Sequence, residues 1–144
     1  MSRKRIAVIL SVVAVLLLAD YLYWTLPFSF GKMLPEETWT EARLVYYDDH
    51  LLSRETVIAD EAMLEQILTA AEETTVTHRP RFRTISQSYF ELFLLCEEGA
   101  PCVITLLANG DVAVTPEMDS DRQKFCDGAE ELFAALAGFW SESF

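Results

Sequence analysis

Hydrophobic and polar positions divide this chain into one continuous apolar run followed by a series of short, patterned ones. Residues 6–18 read IAVILSVVAVLLL, with Ser11 as the one polar side chain. After Ala19 and Asp20 the apolar character resumes at Tyr21, Leu22, Tyr23 and Trp24, then at Leu26, Pro27 and Phe28. Residues 6–28 therefore offer a stretch of 23 positions, where a bilayer-spanning helix needs about 20. The run is apolar on every side, so it lacks the polar stripe of a surface helix in a globular domain.

Beyond it the periods change. Residues 29–40 (SFGKMLPEETWT) read as a linker, with Gly31 and Pro35. Ala42–Tyr47 and Glu55–Ala59 read as strands parted by the polar turn Asp48-Asp49-His50. Asp60 offers an N-cap, and Met63, Leu64, Ile67, Leu68 and Ala71 fall on one face of the helix that follows. Thr74–Arg83 is β-branched but contains Pro80, which suits an edge strand. Tyr89–Cys96, Cys102–Ala108 and Asp111–Thr115 are three further strands, the last two joined by Asn109-Gly110, a strong hairpin signal. Phe125, Ala129, Leu132, Phe133, Leu136, Phe139 and Trp140 then keep helical spacing across Gly128, from a start at Thr115-Pro116-Glu117 or Asp119-Ser120-Asp121. The predicted order is β-β-α-β-β-β-β-α after the apolar helix. That makes an α+β fold with a mainly antiparallel sheet and helices on one face. Residues 1–28 form a basic tip and anchor, 29–40 a linker, and 41–144 the domain.

Register arithmetic assigns faces. A two-residue Asn109-Gly110 turn sets Leu107 opposite Val112, and a five-residue loop at 97–101 sets Cys96 opposite Cys102. One face then carries Phe90, Leu92, Leu94, Cys96, Cys102, Ile104, Leu106 and Ala113 and suits a helix-covered core. The other carries Phe93, Leu95, Leu107, Val112 and Val114 among its members. It is either covered by other chain, such as the linker around Trp39, or forms an interface. The opposed cysteines make Cys96–Cys102 a candidate disulfide, with Cys126 as a competitor. The alternative is three buried free thiols.

Charge adds direction. Arg3, Lys4 and Arg5 precede the apolar run, and from Met33 onward 7 Arg and Lys face 22 Asp and Glu, a net charge of −15. The basic tip places the N-terminus in the cytoplasm and the domain outside, with Tyr21, Tyr23 and Trp24 at the far interface. A cleaved signal peptide is the competing reading, although cutting after Ala19 puts Leu17 at the −3 position. The acidic domain argues against a nucleic-acid partner.

Chemistry is sparse. No zinc spacing, phosphate loop, nucleophile elbow or dinucleotide fingerprint occurs, and Asp48-Asp49-His50 reads as a turn rather than a metal site. No cofactor and no catalytic residue is assigned. Arg79, Arg81 and Arg83 alternate, so in an extended strand they share a face as an anion or partner stripe. As edge-strand charge they instead guard against aggregation or pair with the chain's own carboxylates. In layout, a basic tip, one anchor and a small acidic α+β domain, the chain resembles the short uncharacterised membrane-anchored envelope proteins of Gram-positive bacteria. That resemblance implies no activity and no site residues. The expectation is a non-catalytic, extracytoplasmic interaction or accessory module with an envelope protein partner, or an anion-binding domain using the arginine stripe.

Overall fold

The Ser2 hydroxyl accepts the Arg5 amide at 3.3 Å and so opens helix α1, Arg3–Thr25. The hydroxyls of Ser11 and Thr25 donate back to the Ala7 and Tyr21 carbonyls, leaving no polar group of these side chains without a bond. Trp24 Nε1 donates to Asp20 Oδ1 at 3.3 Å, so the one acid in the helix is engaged beside its far end. The 23-residue helix is long and apolar enough to cross a membrane.

In this computed structural model, which describes residues 2–48, 50, 53–83 and 88–143, the rest of the chain follows in order. Strand β1 is Phe28–Ser29, β2 Glu41–Tyr47, β3 Ser53–Ile58, α2 Glu61–Glu73 and β4 Thr75–Arg79. Then come β5 Tyr89–Leu95, β6 Cys102–Leu107, β7 Val112–Thr115, β8 Lys124–Asp127 and α3 Glu130–Ser143. The strands form one antiparallel sheet in the order β1-β4-β8-β7-β6-β5-β2-β3. This is the expected α+β architecture.

Both domain helices lie on one face. Asp60 caps α2 by accepting from the Ala62 and Met63 amides, and Leu64, Ile67 and Ala71 are buried. From α3, Leu132 and Leu136 join them over Leu44, Phe90, Leu92, Ile104, Leu106 and Val114. Trp140 meets Tyr46 and Phe90 at ring-centroid distances of 5.6 and 6.1 Å.

Four expectations need correction. The stretch 29–40 is part of the fold: Phe30 is fully buried, its amide donates to the Thr74 carbonyl, and Trp39 packs on the helix-covered core. Lys124–Asp127 is a strand, so the last helix starts at Glu130 and Phe125 and Cys126 lie outside it. Gly128 is the boundary, with φ +94 and a hypothetical Cβ only 3.0 Å from the Thr75 carbonyl oxygen. The spacing of Phe125 from Ala129 and Leu132 imitates a helical period but crosses this break.

The β6–β7 connection has three residues, because the Leu107 amide donates to the Asp111 carbonyl and the Gly110 amide to Leu107. Gly110 takes φ +91 while Asn109 does not have a positive φ. Leu106 therefore faces Val112 and Ile104 faces Val114. A one-residue shift inverts a strand, so Val112 and Val114 point into the core rather than onto the second face. The β5–β6 register shifts by two, which preserves faces but sets Leu94 opposite Cys102. Cys96 thus has no opposed thiol, and all three cysteines are free.

Candidate functional site

Four places bring functional groups together. The first is the junction of helix α1 and the sheet. Two residues, Leu26 and Pro27, separate α1 from β1, and β1 pairs Phe28 with Val76 at the outer edge of β4. His78, two residues along β4, is sandwiched between Tyr23 and Phe28 at centroid distances of 4.1 and 4.3 Å. Burial, then the Lys124 ammonium, lowers its pKa from the ordinary histidine value. Cys126 Sγ lies 4.0 Å from His78 Nδ1. Burial, with help from Asp127, pushes that thiol up to about 12 despite Lys124. This is the reverse of an activated nucleophile, whose pKa is depressed.

The second is the arginine trio. Strand β4 ends at Arg79, so Arg81 and Arg83 lie beyond Pro80 and no common strand face carries all three. Arg79 Nε sits 2.6 Å from Asp127 Oδ2. Burial alone would raise the Asp127 pKa, but the Thr77 hydroxyl and Arg79 hold it below the usual carboxylate range. Arg83 donates its amide and Nε to the buried Asp111 carboxylate, each at 2.8 Å, and NH2 to the Asn109 carbonyl. Arg81 is exposed.

The third is the second sheet face. Phe93 pairs with Val103, Glu91 with Thr105 and Tyr89 with Leu107, while Arg43, Val45 and Tyr47 extend the face along β2. At the β7–β8 end it is closed: Phe82 packs edge-on against Phe125 at 4.9 Å, and Leu107 and Ala113 are buried. Phe93 and Leu95 lie on the other, half-exposed part, along with Tyr47, stacked on Tyr89 at 4.6 Å, and Val57, 51% exposed. Burial raises the Glu91 carboxyl even though Tyr47 hydrogen-bonds to it.

The fourth was not foreseen from the sequence. Lys32, Met33, Leu34, Pro35, Val114, Pro116, Arg122 and Lys124 line a concavity of about 350 Å³. Lys124 also lines a smaller hollow of about 190 Å³ with Tyr23, Trp24, His78 and Arg79. The two hollows flank one lysine beside the end of α1. Lys32 and Lys124 are 92 residues apart in sequence and meet only because β8 inserts between β4 and β7, so no local motif announces them.

The polar turn after β2 keeps its expected character where it is described. The His50 amide donates to Asp48 Oδ1 at 2.9 Å, and Asp49 lies outside the described residues. Among the described residues no group of three His, Cys, Asp or Glu side chains is placed to hold a metal ion. No family model, curated protein or solved structure matches the chain.

Proposed function

We propose that the chain is a single-pass membrane protein, with its N-terminus in the cytoplasm and its α+β domain outside, acting as a non-catalytic interaction module for an envelope protein. The observation that carries this reading is the one-sided cover of the sheet. Helices α2 and α3 and Trp39 all pack on one face, while Val45, Tyr47, Tyr89, Phe93 and Leu95 remain half-exposed and Val57 exposed on the other. Aromatic side chains lie beside aliphatic ones there, with Arg43 set between Val57 and Phe93, and aromatic residues and Arg are enriched at protein interfaces. The short junction supports the anchored part of the reading, because a domain two residues from its helix presents that face at a fixed height and angle.

The test is crosslinking in intact membranes followed by capture of the full chain. Val57→Glu and Phe93→Glu are expected to abolish a specific crosslinked partner, while Arg79→Ala/Arg81→Ala leaves it. Circular dichroism verifies that each variant is folded. A partner that survives both open-face substitutions overturns the assignment of that face.

A further inference from the structure

We infer that the concavity between Lys32, Arg122 and Lys124 binds the phosphate of an anionic phospholipid headgroup in the leaflet from which α1 emerges. The inference rests on the anchored reading above but not on its partner face.

The distribution of charge is the first argument. After α1 the chain has eight cations, Lys32, Arg43, Arg54, Arg79, Arg81, Arg83, Arg122 and Lys124, in an otherwise acidic domain. Arg43 and Arg54 sit on β2 and β3, the far edge of the sheet. Lys32, Arg79, Arg122 and Lys124 line the two hollows by the anchor. Half of the eight thus gather at this end, and each Lys or Arg near an anionic surface strengthens attraction about fivefold.

Availability is the second. Arg79 is engaged by Asp127 at 2.6 Å. Arg122 has only the exposed Glu117 at 3.6 Å, and Lys32 and Lys124 form no ion pair within 4.0 Å among the described residues. All three are solvent-exposed, and the two lysines are open to be matched by a ligand.

Depth is the third. Tyr23 and Trp24 line the hollow that shares Lys124, and such rings settle at the headgroup level. Phe28 and Tyr23 clasp His78 from two sides, which fixes the hollows at that level. The walls also suit a lipid. Met33, Leu34, Pro35, Val114 and Pro116 give the concavity an apolar side, fit for glycerol and the first acyl carbons. Met118, in the turn that follows Pro116, is 55% exposed, one of the few large apolar side chains exposed outside α1.

The test reconstitutes the full chain in phosphatidylcholine bilayers holding spin-labelled phosphatidylglycerol or spin-labelled phosphatidylcholine, and reads the immobilised fraction of each. Wild type is expected to select phosphatidylglycerol. Lys32→Gln/Lys124→Gln should lower that selectivity by roughly 25-fold, at about fivefold per surface cation. Arg43→Gln/Arg54→Gln should leave it unchanged, and Lys32→Arg/Lys124→Arg should retain it. Arg3, Lys4 and Arg5 add the same background to every variant. Equal loss with Arg43→Gln/Arg54→Gln would mean diffuse charge and overturn the site, as would no loss with Lys32→Gln/Lys124→Gln. If millimolar inorganic phosphate erases the selectivity, the ligand is a soluble anion and the lipid assignment fails. A chain that washes out of the bilayer, or lacks residues 1–28 by mass, overturns the anchored reading itself.

Discussion

At the scale of single residues, the structure separates cations that hold the fold from cations that face outward. Asp111 is 1% exposed and takes both an amide and a guanidinium from Arg83. Arg83→Ala strips the side-chain half of that pairing from a buried carboxylate, and hydrogen bonds to charged groups contribute about 1.5–3 kcal/mol. Denaturant unfolding of the full chain in mild detergent should show a loss of that size, whereas Arg81→Ala should stay within about 0.5 kcal/mol. Thiols divide in the same way. Burial pushes Cys102 up to about 11 and Cys126, with Asp127, up to about 12. The folded state therefore holds these protons more tightly than the unfolded chain, whose thiols titrate near 8.5. Stability is expected to fall as pH rises above about 8.5, by up to about 1.4 kcal/mol per pH unit for each thiol. Cys102→Ala/Cys126→Ala should flatten that decline, and an unchanged slope would assign it to other groups.

Elements show which parts of the fold were legible beforehand. Strand β5 alternates strictly in burial while β6 is buried on both faces, and a register shift of two residues leaves every side chain on its expected face. Only the cysteine pairing was lost, because opposition tolerates no shift at all. Strand β7 is short and apolar at three consecutive positions, so alternation could not choose its face. The choice fell to the Asn109-Gly110 loop, whose extra residue sends Val112 and Val114 inward and leaves Ala113 to the other side. Burying two valines in place of one alanine favours that register, a comparison the sequence does offer. Strand β8 was hidden because four residues between a turn and Gly128 carry too little pattern, and it forms by pairing with β4, some 50 residues away. The same non-local pairing assembles the Lys32–Arg122–Lys124 concavity. Phe30 is the sharpest contrast with expectation, a fully buried ring in a stretch that reads as linker. Phe30→Ala should cost about 3–5 kcal/mol, measured by thermal or denaturant unfolding. A loss under about 1 kcal/mol would show that α2 and the sheet close without it.

For the whole molecule the decisive feature is continuity from helix α1 to the sheet. Helix α1, about 34 Å long at 1.5 Å per residue, is exposed throughout and meets the domain at its last turns. There Tyr23 stacks on His78 and, after Leu26-Pro27, the chain enters β1. Helix and domain thus pack against each other, with Lys32, Arg79, Arg122 and Lys124 toward the end of α1 and a half-covered sheet face turned away from the domain helices. The most direct test of this account is labelling with a membrane-impermeant maleimide of high mass on cells stripped of wall or outer membrane. Cys96 is half-exposed at the end of β5, while Cys102 and Cys126 are each 1% exposed. The account predicts one adduct, at Cys96, before lysis, on a membrane-bound chain that still carries residues 1–28. Labelling only after lysis would put the domain in the cytoplasm, and a labelled chain released without residues 1–28 would make the helix a cleaved signal. Either result contradicts the account.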